Sequence, residues 1–249
     1  MDGRVLEFVA LFAAGTVAGS LNVVAGGGSF LTLPILLFLG LPAAVANGTN
    51  RIGVVSQTIT SAVAFHGYGM LPRRLALHAV VPTVAGAVLG ALAALQIGDL
   101  AFRRILAVCM LALTLATFVR RPRAGDAPKH TAEPRAWLIP AFFLVGLYGG
   151  FIQAGVGFLV LAVTNVLRLD LVRANALKTV VVLVLTLVAL TIFVADGTID
   201  WTLGLALACG NGLGGWLGVR LALAAGHRWL QHIVTVTIVA FSIALLISG

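Results

Sequence analysis

The apolar residues of this chain come in long runs, separated by short basic clusters and, at two places, by glycines. Measured against the about 20 residues needed to cross the hydrocarbon of a bilayer, the runs at residues 52–65, 75–95 and 105–119 predict three membrane crossings. Runs at 179–195, 201–219 and 230–248 predict three more. Two other regions, 5–41 and 137–169, are each too long for one crossing and are interrupted near their centres. Gly26, Gly27 and Gly28 break the first, while Gly149, Gly150, Gly155 and Gly157 break the second. Each region therefore predicts a helix that enters the membrane, breaks, and turns back as a shorter segment.

The basic clusters orient these elements, because Lys and Arg concentrate on the cytoplasmic side of short loops. Arg120, Arg121, Arg123, Lys129 and Arg135 put the central loop in the cytoplasm. If 137–169 is a hairpin, Arg168, Arg173 and Lys178 return to that side, Asp196 and Asp200 fall outside, and Arg220 and Arg228 fall inside. Working backwards, Arg73 and Arg74 also lie inside and both chain termini lie outside; only Arg103 and Arg104 sit on the disfavoured side. Without the hairpins every basic loop of the second half would be external.

A hairpin plus three crossings makes an odd number of traversals, so a second copy of such a unit must be inverted relative to the first. Sliding the chain by 128 positions pairs Gly27 with Gly155, Phe30 with Phe158, Leu31 with Leu159, Leu33 with Leu161, Asn47 with Asn175, Gly86 with Gly214 and Gly90 with Gly218. Leu matches arise by chance in so apolar a chain, but matched Asn and Gly at one constant offset do not. The expected fold is an all-α integral membrane protein of two inverted repeats, residues 1–119 and 136–249, joined by a basic cytoplasmic linker at 120–135. About eight main membrane helices plus short half-helices would result. Inverted repeats with broken helices characterise secondary transporters, which hold substrate near the midplane.

Composition supports a membrane location. Of 249 residues, 60% are hydrophobic and 10% charged, and the mean hydropathy is +1.09, outside the range of soluble domains. The net charge of +8 could suggest a nucleic-acid partner, yet the cations sit in short clusters between apolar runs, so none is expected and the partners are the lipid bilayer of a cell inner membrane and a small anion. Asp2 and Glu7 spoil a basic signal-peptide n-region, so the first run is expected to be retained. Cys109 and Cys209 lie inside apolar runs and read as small core residues rather than a disulfide or a metal site. All eight carboxylates fall in termini or loops, leaving no buried acid for a proton, a sodium ion or a metal; no cofactor is expected either.

Three groups of residues are candidates for chemistry. A helix broken at Asn22 to Ser29 frees backbone N–H groups that lipid cannot satisfy, and Gly26, Gly27 and Gly28 let a ligand approach them. Freed N–H groups at a helix N-terminus favour an anion. Asn47, Asn50 and Arg51 share one helix face, with Thr49 beside them, and Asn175, Lys178 and Thr179 share the equivalent face of the second copy. The inversion would present Arg51 and Lys178 to one central cavity from opposite sides. Gln153, Gly155 and Gly157 complete the set. A competing reading makes the glycines packing devices, as Gly86, Gly90, Gly210, Gly214 and Gly218 are, and lets both cations snorkel to headgroups from helix ends. Asn165 and Asn211 serve equally as polar glue, and His66 and His78 read as interfacial, solvated residues.

These residues also resemble a known family. Gly15-x-x-x-Gly19-Ser-Leu-Asn22, Gly26-Gly-Gly-Ser-Phe-Leu-x-x-Pro34, Leu39-Gly-Leu-Pro42 and Ala46-Asn-Gly-Thr-Asn50 are similar to the TauE/SafE family of sulfite and organosulfonate exporters. The resemblance extends through the second copy, which has Gln153-Ala-Gly-Val-Gly157 in place of three glycines and Lys178 where the first has Asn50. It implies a transporter, not an enzyme, that moves sulfite, organosulfonates or related small oxyanions and carboxylates, mostly outward. An intramembrane enzyme would need a nucleophile and base or a metal at membrane depth, and none is in sight. A passive anion channel, or an importer of the same anions, would use the same residues. The glycine stripes allow a homodimer.

Overall fold

The computed structural model describes residues 2–24, 26–67, 73–119 and 136–224. The predicted linker at 120–135 and the predicted crossing at 230–248 lie outside the described residues. Nine helices occupy what is described: α1 (Asp2–Val24), α2 (Ser29–Phe38), α3 (Ala43–Gly67), α4 (Arg73–Leu95), α5 (Asp99–Val119), α6 (Leu138–Phe151), α7 (Val156–Val166), α8 (Leu171–Ala195) and α9 (Trp201–Ala224). Among the described residues, four stretches are long and apolar enough to cross a membrane: Val5–Val24, Arg73–Leu95, Val172–Ala195 and Trp201–Ala222. Leu6, Leu77 and Val81 are each about 70% exposed or more (70%, 71% and 73%), an outward-facing apolar surface that suits lipid and not water.

Both broken regions turn back on themselves. α1 runs beside α9, with Phe12 against Gly210 and Thr16 against Gly214. The chain then reverses, so that Gly28 lies against the Ala18 carbonyl and Asn22, and Leu36 and Leu37 of α2 join Leu11 in one core cluster. α6 and α7 form the second hairpin. Helices pack through glycine, as expected where lipid supplies no hydrophobic drive and close backbone approach must hold them. Gly86 and Gly90 of α4 meet the Phe143 and Leu147 carbonyls of α6, whose Gly146 and Gly150 meet Thr83 and Ala87 in return. The same reciprocal arrangement joins α1 to α9. α8 starts and ends 128 positions after α3, and α9 starts 128 after α4, so the offset seen in the sequence recurs in the element boundaries.

Charge separates along the bundle. Phe65 near the end of α3, Val172 and Ala176 at the start of α8, and Val219 late in α9 pack together, so Arg73, Arg74, Arg168, Arg173 and Arg220 gather at that end. The opposite end joins Leu95, Phe193 and Ile199 and carries Asp99, Asp196 and Asp200, with Arg103 and Arg104 nearby. Carboxylates at both ends cap helices: Asp99 accepts from the Ala43 amide at 3.1 Å, Asp170 from Arg173 at 3.0 Å and Asp200 from Leu203 at 3.0 Å.

Some expectations need correction. Gly149 and Gly150 do not break the second region; they lie inside the last turn of α6, and the break falls at Ile152 to Gly155. Cys209 is exposed on α9 and not a core residue, whereas Cys109 is half-buried and packs at the edge of the core that holds Phe30 and Phe102. α3 begins at Ala43, not near residue 52, and α8 at Leu171, not near 179, since the polar residues that ended the hydropathy runs are paired inside these helices. Asn165 is exposed at the end of α7, whereas Asn211 is buried and donates to the Leu207 carbonyl at 3.0 Å. His78 is exposed; the His66 side chain lies outside the described residues.

Candidate anion site at the helix breaks

The two breaks meet at the centre of the bundle. Gly26 has φ of 89° and Gly155 of 77°, left-handed conformations that glycine adopts without steric cost. They are also in contact with the opposite half. A Cβ on Gly26 would lie 2.9 Å from the Gly157 Cα, and one on Gly157 would lie 2.5 Å from the Gly26 Cα, so only glycine backbone passes here. Gly27 sits under the Phe158 ring and Gly155 under the Phe30 ring, and these two rings stack with centroids 6.0 Å apart. Each glycine thus abuts the phenylalanine of the other half, and both pairs are related by the 128-residue offset. The Phe30–Phe158 stack packs the point where the two breaks meet.

Each break has a positive and a negative side. On the positive side, α2 and α7 begin after Gly28 and Gly155, and neither residue offers a side-chain cap. The Phe30, Leu31 and Phe158 amides find turn carbonyls at 2.9–3.0 Å. The other amides of a first helical turn have no partner within the helix. Two helix N-termini therefore approach one another at the Gly26–Gly157 contact with no side chain to neutralise them.

On the negative side, each helix end is capped by a cation from the facing half. Arg51 Nη1 donates to the Gly149 carbonyl at 3.1 Å and to Gln153 Oε1 at 2.9 Å. Its Nη2 donates to the Gly150 carbonyl at 2.5 Å and to Asn47 Oδ1 at 3.4 Å. Asn47 Nδ2 adds a bond to the Phe151 carbonyl at 2.8 Å. Lys178 Nζ donates to the Asn22 and Val23 carbonyls at 2.7 and 2.6 Å and to Asn175 Oδ1 at 2.7 Å. Cations at helix C-termini complement the orphan carbonyls and the dipole. Arg51 is 0% and Lys178 3% exposed, so neither snorkels to a headgroup. Each lies about a third of the way along its 25-residue helix, and the two enter from opposite ends of the bundle.

The remaining candidates divide. Asn50 is fully buried; its Oδ1 accepts from Thr32 at 2.6 Å, and its Nδ2, like Arg51 Nε, is a buried donor without an acceptor. Gln153 joins the site through Arg51 and Thr186, the latter at 3.3 Å. Asn22 donates to Gln57 at 2.6 Å. Ser29 is buried beside the first break. Thr49 is not drawn in: its hydroxyl accepts from the Asp200 amide at 2.9 Å near the acidic end. Thr179 bonds back to its own helix at Asn175. Sequence reasoning missed Gln57, Thr32, Thr186 and Phe193, whose ring lies 4.8 Å from the Arg51 guanidinium carbon. Gln57 left a signal, a polar residue inside a predicted crossing.

Among the described residues, no group of three or more His, Cys, Asp or Glu comes together, and none of Glu7, Asp99, Asp170, Asp196 and Asp200 is buried. Two buried cations and two helix N-termini thus share a centre with no carboxylate. Such a centre attracts negative charge strongly, because screening by water is weak at this depth.

Comparison with known proteins gives the same picture. A protein described as "Probable membrane transporter protein ORF9" from Sinorhizobium sp is 28% identical over 238 residues, covering 95% of this chain and 91% of its own. A "Probable membrane transporter protein" of Haemophilus influenzae is 27% identical over 240 residues, covering 95% and 93%, and "Probable membrane transporter protein YfcA" of Escherichia coli K12 is 25% identical over 241, covering 95% and 88%. No solved structure matches. A family profile described as "Sulfite exporter TauE/SafE" matches residues 11–245, and the chain is a member of the TauE/SafE family.

Proposed function

We propose that this chain is a secondary transporter that binds a small oxyanion between the two helix breaks and exports it from the cell. The observation that carries this reading is the meeting of two helix N-termini, both without side-chain caps, beside two buried cations and, among the described residues, no buried acid. A sulfite, sulfonate or carboxylate group offers the oxygens that such N–H groups lack. The amides of Gly27, Gly28 and Ser29 on one side and of Val156 and Gly157 on the other are the nearest donors, with Asn50 Nδ2 and Arg51 Nε in reserve.

The architecture in this reading is two inverted repeats, residues 1–119 and 136–249, whose breaks face each other across a pseudo-two-fold axis running between Phe30 and Phe158. The basic end of the bundle faces the cytoplasm of the inner membrane, following the positive-inside rule. Both termini then lie outside. An anion leaving a negative-inside cell gains about 2.3 kcal/mol per charge per 100 mV, so export needs no coupling ion.

Uptake of labelled sulfite, sulfoacetate and acetate into inside-out and right-side-out vesicles holding the purified protein, with and without an imposed potential, tests this. Saturable flux of sulfite or sulfoacetate that follows the potential supports it. Flux that is linear in concentration and shows no counterflow identifies a channel instead, and no flux of any of the three removes the substrate assignment.

A further inference from the structure

The two halves differ in a way that their shared packing does not require. On α3, Gln57 and Ser61 lie one turn apart on one buried face, 2% and 0% exposed. Asn22 Nδ2 donates to Gln57 Oε1 at 2.6 Å, Gln57 Nε2 donates to Ser61 Oγ at 3.0 Å, and Ser61 Oγ donates to the Gln57 carbonyl at 2.7 Å. The Asn22 carbonyl in turn accepts from Lys178. A polar seam therefore leaves the first break at Asn22 and climbs about 6 Å along α3, from Gln57 to Ser61, toward the arginine-bearing end, where Phe65 one turn further on closes it with Val23, Ala176 and Val219.

The positions 128 residues on are Leu185, Ala189 and Phe193, all 0% exposed. Leu185 fills the space against Gly149, where a Cβ would meet its Cδ1 at 3.0 Å, and Ala189 and Phe193 pack with Ala91 and Ala94. The same helix crossing is thus made once with polar side chains and once with apolar ones, equally buried. Helix packing alone does not call for the amide and the hydroxyl, and polar groups inside a membrane are costly to keep. We infer that the Asn22–Gln57–Ser61 seam is a wettable half-path that carries the anion between the arginine-bearing end and the breaks, gated by Phe65, while the opposite half, at Leu185, Ala189 and Phe193, is a dry barrier.

This inference rests on the transport reading but has a readout independent of flux. In protein lacking its native thiols (Cys109→Ala, Cys209→Ala), single cysteines at Ser61→Cys and Ala189→Cys are exposed in vesicles of either orientation to a membrane-impermeant, sulfonate-bearing methanethiosulfonate. The cysteine at 61 is expected to react from the arginine-bearing side only, faster when Phe65→Ala is added, and the cysteine at 189 to stay unreacted over the same interval. An unreactive cysteine at 61 in both the parent and the Phe65→Ala background, or equal reaction at 189, overturns the half-path. Reaction at 61 without flux of any tested anion leaves the half-path standing and removes the substrate assignment instead.

Gln57→Leu, which installs the residue the second half uses, separates path from glue. A path residue lowers flux about tenfold with the melting temperature in detergent little changed, the scale of one lost polar contact. A lowered melting temperature with unchanged flux per folded molecule assigns the seam to helix packing and overturns the inference.

Discussion

The ends of α1 and α6 present the same problem, carbonyls left without partners at membrane depth, and solve it with different chemistry. Lys178 has three donors and spends all three, on Asn22, Val23 and Asn175. Arg51 makes four bonds with its two Nη atoms, is helped by Asn47, and still holds Nε in reserve. Lysine is a point charge that its acceptors can saturate; arginine is a rigid fork that leaves a donor over. The two cations are therefore not equivalent ligands. Both hold a helix break in place from the opposite half, but among the described residues the buried side-chain donors left over, Arg51 Nε and the Asn50 amide, both lie on the Arg51 side.

The largest expected effect comes from removing a cap. Lys178→Met leaves the α1 end with no cation and no substitute, orphaning two carbonyls at about 1–3 kcal/mol each. Arg51→Met also orphans two carbonyls, those of Gly149 and Gly150, but keeps the Asn47 bond to the Phe151 carbonyl beside them and leaves Gln153 its bond from Thr186. Thermal unfolding in detergent should therefore show Lys178→Met as the less stable of the two. The reverse order would mean that the Arg51 network holds its helix end more strongly than the lone Lys178 cap holds α1.

Next in size is Gly155→Ala. Its φ of 77° costs an alanine roughly 1–2 kcal/mol, and the new methyl collides with the Phe30 ring. Adding Phe30→Leu should recover the part due to the collision and not the part due to φ, so the double variant should melt between Gly155→Ala and the parent. Full recovery would remove the backbone strain from the account.

Arg51→Lys sharpens the contrast more gently. A lysine supplies three donors to four acceptors and no equivalent of Nε, for a stability loss of about 1 kcal/mol. If Nε serves the anion, apparent affinity in vesicle uptake falls further than stability does, whereas Lys178→Arg, at a cation with no donor to spare, should cost stability without that excess loss of affinity.

Much of this arrangement could be read from the sequence, and what could not has a common cause. The hairpins, the 128-residue offset and the Gly26, Gly27 and Gly28 break follow from glycines and hydropathy, which are properties of side chains. The caps do not, because their acceptors are backbone carbonyls of Asn22, Val23, Gly149 and Gly150, and every residue has a carbonyl. Arg51 and Lys178 could be recognised as costly cations but not matched to partners across the molecule. The starts of α3 and α8 were missed for the same reason: Asn47 to Arg51 and Asn175 to Lys178 read as breaks in hydropathy, although internal pairing lets them continue a helix. Gly149 and Gly150 misled in the other direction, since a glycine pair that permits contact with Ala87 and Leu185 looks in sequence like one that breaks a helix.

The smallest expected change in stability is also the sharpest test of the asymmetry. Asn50 makes one side-chain bond, from Thr32 to its Oδ1, and its Nδ2 has none. Replacing both partners together, as Asn50→Leu with Thr32→Val, removes a bonded pair and an idle donor and leaves nothing orphaned, a change that is close to neutral in a buried site. Melting temperature should hold within about 1 kcal/mol of the parent. If the idle amide is held for the anion, apparent affinity for the transported oxyanion falls about tenfold, the equivalent of ~1.4 kcal/mol. The 128-residue partner of Asn50 is Lys178, whose donors are all engaged, so no substitution in the second half should reproduce that pairing of weakened binding with intact stability. A variant protein that binds and melts like the parent would show that the spare donors beside Arg51 play no part in the site, and the two breaks would then differ only in how they are capped.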